Sequence, residues 1–256
     1  MLIASWNVNS VKARLGHVQQ WLQTNPVDVL LLQEIKCETD AFPADTLRDL
    51  GFMHQVVVGE KSYNGVAFLS RRAVTDTVTR LPGDDTDVQS RFVGGCVNGV
   101  WIYNLYAPNG NPQPGPKFDY KLAWLARLHA FAAAELQREA PVVFAGDYNI
   151  IPTTDDVKSP AAWRDDALFQ PESQQTFRAI CYLGYADAWR ARNNGPAEYT
   201  FWDYRAGAWQ KNDGIRIDHM LLSPEAIDRT RGCHIDSTPR GWDTPSDHAP
   251  IILNIA

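Results

Sequence analysis

Several polar residues of this chain stand where apolar runs stop, and their types could do chemistry together. Asn7 follows the run Leu2–Trp6, Glu34 follows Leu30-Leu31-Leu32-Gln33, and Tyr106 follows Trp101–Leu105. Asp147 and Asn149 follow Val142–Ala145. Asp218 sits inside Ile215-Arg216-Ile217-Asp218-His219-Met220-Leu221-Leu222, where a carboxylate would be buried unless paired or hydrogen-bonded. The segment Ser246-Asp247-His248-Ala249-Pro250 offers His248 as that partner, because a buried Asp can orient an imidazole and stabilise its cation. Each residue alone has an ordinary reading: a turn for Asn7 or Asn149, a surface loop for Glu34, a cap for Asp247, a structural ion pair for Asp218. Independent caps and turns have no reason to recur at successive strand ends, and the recurrence is what marks a site.

Carboxylates with amides and an imidazole, and no cysteine among them, suit a hard cation such as Mg²⁺, with Mn²⁺ able to substitute, rather than structural zinc. Such a cation takes few protein ligands and completes its shell with water and a substrate phosphate. Glu34 is the first candidate ligand, with Asp247 and Asn7 assisting and Asp147 and Asn149 within the same set.

Positioning these groups requires rigid strands that end together. Short apolar runs between turn signals predict strands over Leu2–Trp6, Val27–Leu32, Gly65–Leu69, Phe92–Val97, Val100–Leu105, Pro141–Ala145, Ile217–Leu222 and Ile251–Ile255. Asn98-Gly99 predicts a tight hairpin between two of them. Helical periodicity runs through Val11, Leu15, Val18 and Leu22, and again through Leu122, Leu125, Leu128 and Phe131; shorter helices are expected over Ala44–Leu50 and Gln174–Leu183. Many strands with a few helices between them predict a four-layer α/β sandwich, two packed mixed sheets flanked by helices.

With 45% apolar and 21% charged residues over 256 positions, and no linker-like stretch, the chain is expected to form one domain, 1–256. The start Met-Leu-Ile-Ala-Ser-Trp-Asn lacks a basic and then apolar leader, and no apolar run approaches the roughly 20 residues of a membrane span, so a cytoplasmic chain without membrane contact is expected. Cys37, Cys96, Cys181 and Cys233 are widely spaced and read as free thiols. The net charge of −6 weighs mildly against nucleic acid, but a site that concentrates carboxylates can coexist with a basic rim.

The motifs in order are Trp6-Asn7-Val8-Asn9, Leu32-Gln33-Glu34-Ile35-Lys36, Tyr106-Ala107-Pro108-Asn109-Gly110, Gly146-Asp147-Tyr148-Asn149, Phe201-Trp202-Asp203-Tyr204-Arg205, Arg216-Ile217-Asp218-His219 and Ser246-Asp247-His248-Ala249-Pro250. Together they resemble the exonuclease III family of abasic-site endonucleases, over practically the whole chain. Gly-Asp-x-Asn and Ser-Asp-His are shared across the wider DNase I-like superfamily, which includes phosphatases and phospholipases. Leu-Gln-Glu-x-Lys, Tyr-x-Pro-Asn and the aromatic segment before Arg-x-Asp point to the DNA-repair branch.

The resemblance implies that Asp147 orients or deprotonates the attacking water, with Asn149 beside it and Glu34 holding the metal. His248, paired with Asp218, would stabilise charge on the phosphorus centre; Asn7, Asn109 and Tyr106 would contact phosphate or leaving group, and Asp247 would lie in the metal's outer shell. Which carboxylate is the base, and whether one or two metals act, stay open. Phe201 and Trp202 would line a pocket for a baseless sugar, with Trp202 equally readable as core; Ile215 and Ile217 stand where some relatives carry Trp. Lys36, Lys61, Arg91, Lys117, Lys121, Arg205 and Arg216 are the candidate phosphate-contacting cations, Lys36 and Lys117 first. The substrate implied is double-stranded DNA with abasic sites or blocked 3′ ends, handled by a monomer with no obligate protein partner. The alternative is a phosphatase or phospholipase of the same superfamily acting on a non-DNA phosphoester.

Overall fold

Strands buried along both faces can hold a site steady only if their side chains alternate between two apolar layers, and the sequence builds such strands. A computed structural model describes residues 1–193 and 198–256. In chain order its elements are β1 (Leu2–Asn7), α1 (Val11–Thr24), β2 (Val29–Gln33), α2 (Ala44–Asp49), β3 (His54–Val58), β4 (Val66–Ser70), β5 (Thr75–Val78), β6 (Phe92–Val97), β7 (Val100–Tyr106), α3 (Pro116–Glu135), β8 (Val142–Asp147), α4 (Pro160–Trp163), α5 (Pro171–Tyr182), β9 (Ala186–Asp187), α6 (Ala188–Arg192), β10 (Asp218–Leu222), α7 (Pro224–Asp228), β11 (Thr230–Ile235) and β12 (Ile251–Ile255).

Two six-stranded sheets form, in the orders β11-β12-β1-β2-β4-β3 and β5-β6-β7-β8-β10-β9. Each has a parallel pair at its centre, β1 with β2 and β7 with β8, flanked by antiparallel neighbours. Alternation sorts the side chains. Ile3, Val29, Leu31, Ile102, Val143, Ala145 and Met220 fill the space between the sheets. Ala4, Trp6, Leu30 and Leu32 face outward onto Val18, Trp21 and Leu22 of α1 and Leu47 of α2. Tyr103, Leu105, Val142 and Phe144 face the other way, onto Trp124, Leu125 and Leu128 of α3 and Phe177 and Ile180 of α5. The order helices, sheet, sheet, helices is the four-layer sandwich expected from the apolar runs.

The short strands β3, β5, β9 and β11 carry mixed polar patterns and escape an apolar-run reading; all four lie at sheet edges. The hairpin is where Asn98-Gly99 placed it, with both residues at positive φ, 52° and 78°. α3 buries Phe118, Lys121, Trp124, Leu125 and Leu128, a stripe turned from the expected one, with Leu122 half-exposed. No helix among the described residues is long and apolar enough to cross a membrane.

Candidate active site

The period of two that packs the space between the sheets also builds the site. Ile3, Ser5 and Asn7 share one face of β1, as do Leu31 and Gln33 on β2, Ile102, Asn104 and Tyr106 on β7, and Val143, Ala145 and Asp147 on β8. The stripe between the sheets therefore changes from apolar to polar at one end. Its first polar layer ties the sheets together: Gln33 Nε2 donates to Ser5 Oγ at 3.0 Å and to Asn104 Oδ1 at 2.6 Å, and Asn104 Nδ2 donates to the carbonyls of Leu32 and Ala67. The next layer outward is Asn7, Tyr106, Asp147 and Asp218. Asp218, expected inside its strand, is the first residue of β10 and lies directly across from Asp147.

Asn7 Nδ2 bridges the sheets, donating to Glu34 Oε1 at 2.8 Å and Asp147 Oδ2 at 3.0 Å. Its Oδ1 accepts from the Asn9 amide, so Asn7 presents a donor to the carboxylates instead of a ligand oxygen. Glu34 and Asn149, each just beyond a strand end, have φ of 50°. Backbone in this left-handed region is uncommon outside glycine and persists where surrounding contacts fix it. For Asn149 they are visible: its N–H donates to Asp147 Oδ1 at 2.8 Å and its Nδ2 to the Ala107 carbonyl at 2.9 Å. Asn109 Nδ2 reaches Asn149 Oδ1 at 3.3 Å.

His248 is buried with Nδ1 2.8 Å from Asp218 Oδ2 and Nε2 3.8 Å from Asp147 Oδ2. Its backbone is held by Trp6, whose indole N–H donates to the His248 carbonyl, and by Ser246 Oγ, which accepts the His248 N–H and donates to the Asn7 carbonyl. Burial would lower the imidazole's pKa, but the Asp218 carboxylate overrides it and lifts His248 to about 10, a cation at neutral pH. Asp147 moves the other way for an acid: burial and the adjacent Asp218 charge raise it to about 7. Glu34 is held below its ordinary value: burial works against ionisation, but Lys36 and the Asn7 amide outweigh it. Tyr106, buried next to Glu34 and Asp147, stays protonated far above neutrality.

Ligand atoms of Glu34, Asp147 and His248 lie within 4.8 Å of one another. An ionised carboxylate with a second facing it is a donor set for a hard cation. Asp247 lies at the edge of the same hollow, its Oδ1 accepting from Asn9 Nδ2 at 3.1 Å. The hollow, about 250 Å³, is lined by Glu34, Tyr106, Asn109, Asp147, Asp247 and His248 on its polar side. Trp163, Leu168, Phe201 and Ile217 form its apolar wall, with Asp166 at the rim. Phe201 packs edge-on against His248, ring centres 5.0 Å apart.

The expected cations divide. Arg216 is buried and locked between Asp156 and Asp187, each 2.8 Å away, so it is part of the interior and out of reach of any ligand in the hollow. Lys121 is fully buried and donates to the carbonyls of Asn109 and Asn149. Lys36 turns inward, 2.8 Å from Glu34 Oε2 and bonded to Asn9 Oδ1. Arg91 stacks over the Tyr106 ring at 4.8 Å. Lys61, Lys117 and Arg205 are exposed, and Arg205 is forked onto Asp203. Trp202 belongs to the core: it packs on Trp209 and Ala249, away from the hollow's lining. The residues that a sequence reading does not pick out are Asn9, Trp163, Leu168 and Asp166. Trp163 and its neighbours lie in a stretch without periodicity; Lys121, expected among the phosphate-contacting cations, is instead a charge on the buried face of α3, which is turned from the stripe the periodicity suggested.

A model of the endonuclease/exonuclease/phosphatase family matches residues 4–248. The chain is 30% identical over 261 residues to the DNA repair nuclease APEX1 of Danio rerio, covering 100% of this chain and 82% of that protein. It is 29% identical over 263 residues to exodeoxyribonuclease III of Haemophilus influenzae, covering 98% of each. Among solved structures, a 3′ phosphatase from Neisseria bound to a product DNA hairpin is 38% identical with a TM-score of 0.96, and an AP endonuclease from Archaeoglobus fulgidus is 33% identical with a TM-score of 0.95; each comparison covers 100% of this chain and 99% of the other. The chain belongs to the endonuclease/exonuclease/phosphatase family and is a phosphodiester hydrolase.

Proposed function

We propose that this enzyme is a DNA-repair phosphodiesterase that cuts double-stranded DNA 5′ to abasic sites, removes nucleotides in the 3′→5′ direction and clears blocked 3′ ends. One observation carries the chemistry: a cationic His248 and an acid of raised pKa, Asp147, face each other across 3.8 Å at the open end of the space between the sheets. All three activities break the bond between phosphorus and a 3′ oxygen, so one arrangement serves them all. The relatives described above are named for these reactions on DNA, which favours DNA over the phosphoesters of other superfamily members.

Asp147 takes the proton of the attacking water, whose oxygen bonds to phosphorus as the 3′ oxygen leaves. Asn149 and Asn109 aim their amides at the same phosphate, and His248 donates to a non-bridging oxygen as charge grows there. Tyr106, protonated at neutral pH, donates a hydrogen bond to the departing 3′ oxygen, which takes its proton from solvent as it leaves. Mg²⁺, with Mn²⁺ able to replace it, would be held by Glu34 with Asp147 and, through its outer shell, Asp247, and neutralises phosphate charge when bound. Phe201, Trp163, Leu168 and Ile217 form the wall against which a sugar lacking its base fits. Lys117, Lys61, Arg91 and Arg205 would meet the flanking phosphates. The chain works as one domain and a monomer in the cytoplasm.

A gel assay on a 5′-labelled duplex with a single abasic site, run with Mg²⁺ and again with EDTA, tests the reading. Cleavage 5′ to the lesion that disappears in EDTA is the expected result. An intact abasic strand and untouched 3′-phosphate ends, with phosphate released from inositol phosphates, would move the enzyme to the alternative substrate class.

A further inference from the structure

An amine inside a protein costs several kcal/mol unless its donors are used, and an apolar side chain on the same helix face would pack at no such cost. Lys121 is 0% exposed on the face of α3 that also buries Phe118, Trp124 and Leu125. Its Nζ donates to two backbone carbonyls, that of Asn109, at 3.1 Å, and that of Asn149. These belong to the two loops that leave the parallel pair β7 and β8, and the two side-chain amides meet each other on the site side of the same loops. Gly110 passes so close that a Cβ there would lie 2.7 Å from Lys121 Cδ, and its φ of +93° suits glycine alone. The carbonyl after Asn149, that of Ile150, is held by His219 Nε2 at 3.0 Å. His219, its pKa lowered by burial and by neighbouring Arg216 to about 4, is neutral and can donate there.

We propose that Lys121 is a positioning residue for phosphodiester hydrolysis, stapling from behind the two loops that aim the Asn109 and Asn149 amides at the phosphate. The left-handed Asn149 backbone needs its carbonyl fixed, and Lys121 fixes it to the loop of Asn109, so the two amides keep one spacing. Either protonation state of the amine keeps two N–H donors, enough for both carbonyls.

The inference rests on the reading of Asn109 and Asn149 as phosphate-facing amides. Lys121→Met keeps the length and removes the donors. Rates are measured with Mg²⁺ on a duplex with a recessed 3′ end and on bis(p-nitrophenyl) phosphate, which needs no DNA contact. For Lys121→Met we expect kcat to fall roughly ten-fold or more with KM changed less than about two-fold, and Lys121→Arg to recover most of the loss. In an Asn149→Ala background the same substitution should cost clearly less than in the wild type, because one of the two amides it positions is gone; a purely structural lysine would give independent, additive losses. A wild-type kcat in Lys121→Met, or an undiminished loss in the Asn149→Ala background, overturns the proposal. If thermal melting shows Lys121→Met unfolded, Lys121→Gln takes its place in the cycle under the same criteria. A wild-type enzyme active on the small diester but inert on the duplex would sink the DNA reading alone, leaving Lys121 to be judged on the small diester.

Discussion

Two clusters of buried charge sit close together in this protein and are built on opposite principles. In the first, Arg216 is bound by Asp156 and Asp187, Asp156 also accepts from Arg190 Nη2 at 2.6 Å and Thr153 Oγ1 at 2.9 Å, and His219 takes up a further Arg216 N–H. Every charge there has its partner: Asp156 is held below its ordinary value because Arg216 outweighs burial, and Arg216 above its own because the two aspartates do the same. In the second, Glu34, Asp147 and Asp218 converge on one imidazolium and one ammonium, Asp218 Oδ1 has no hydrogen-bond partner among the described residues, and Asp147 is pushed toward its neutral form. The first cluster is closed and stabilises the fold. The second is left short of positive charge, which is the condition for drawing in a cation and for keeping a base whose proton affinity is useful near neutrality.

The largest effect expected from this contrast is at Asp147. Asp147→Asn should lower kcat by about 10³-fold, within the range for loss of a general base, while the melting temperature holds or rises because a carboxylate facing Asp218 is gone. His248→Ala should be as inactive. Parallel turnover and melting curves check both, and an active Asp147→Asn enzyme would remove Asp147 from the proton transfer.

Arg216→Met should show the reverse pattern. Breaking a closed buried network by removing one partner costs about 3–5 kcal/mol, so urea denaturation should find most of the stability lost. The kcat of the remaining folded protein should change by far less than in Asp147→Asn. A variant as stable as wild type would mean that the network can relax or rehydrate, and that closure is not its function.

Much of the second cluster is readable from the chain alone, and the first is not. Asn7, Tyr106 and Asp147 close apolar strands whose alternation carries them into the space between the sheets, and Glu34, one residue past β2, is turned in by its left-handed backbone. Arg216 looked like a phosphate ligand because it sits two residues from Asp218, but its partners Asp156 and Asp187 lie far along the chain in segments with no periodicity. Long-range pairing of this kind has no local signature. The same holds for Trp202, whose burial depends on Trp209 and Ala249, and for Asn9, whose bonds to Lys36, Asp247 and Tyr204 join three distant loops.

The shortage of positive charge should also be visible as ligand-linked stability. Mg²⁺ at 100 times its dissociation constant should raise unfolding free energy by about 2.7 kcal/mol, and Glu34→Gln should lose most of that gain. Because Asp147 holds a proton up to about 7, the ion should bind more tightly as pH rises through that region. Calorimetric titration at several pH values reads this directly, and pH-independent affinity would place the cation away from Asp147.

In EDTA the pH dependence of stability separates the clusters further. His248 has a folded pKa of about 10 against an ordinary 6.5, so its contribution is complete below 6.5 and is lost as pH rises through 10. Asp156 is lowered, so its contribution is present above its ordinary 3.8 and is lost as acid takes pH down through the folded value. Urea midpoints should therefore fall on the alkaline side through His248 of the open cluster, and on the acid side through Asp156 of the closed one together with Glu34, whose pKa is also lowered. Asp218→Asn should flatten only the alkaline limb.

The smallest effects belong to the exposed rim, where the same contrast between closed and open charge recurs. Arg205 is forked onto Asp203, Nε at 3.1 Å and Nη2 at 2.9 Å, whereas Lys117 stands exposed in the first turn of α3. Under the proposed function a phosphate must compete with Asp203 for Arg205 but meets Lys117 unopposed. Lys117→Ala should weaken duplex binding a few-fold and lower the slope of log affinity against log salt by about one, as for the loss of one phosphate contact. Arg205→Ala should do less, and Asp203→Asn, which frees Arg205, should tighten binding. If Arg205→Ala costs more than Lys117→Ala in binding titrations across salt, the Asp203 fork is an aiming device for DNA, and closure of a charge pair does not by itself mark a residue as structural.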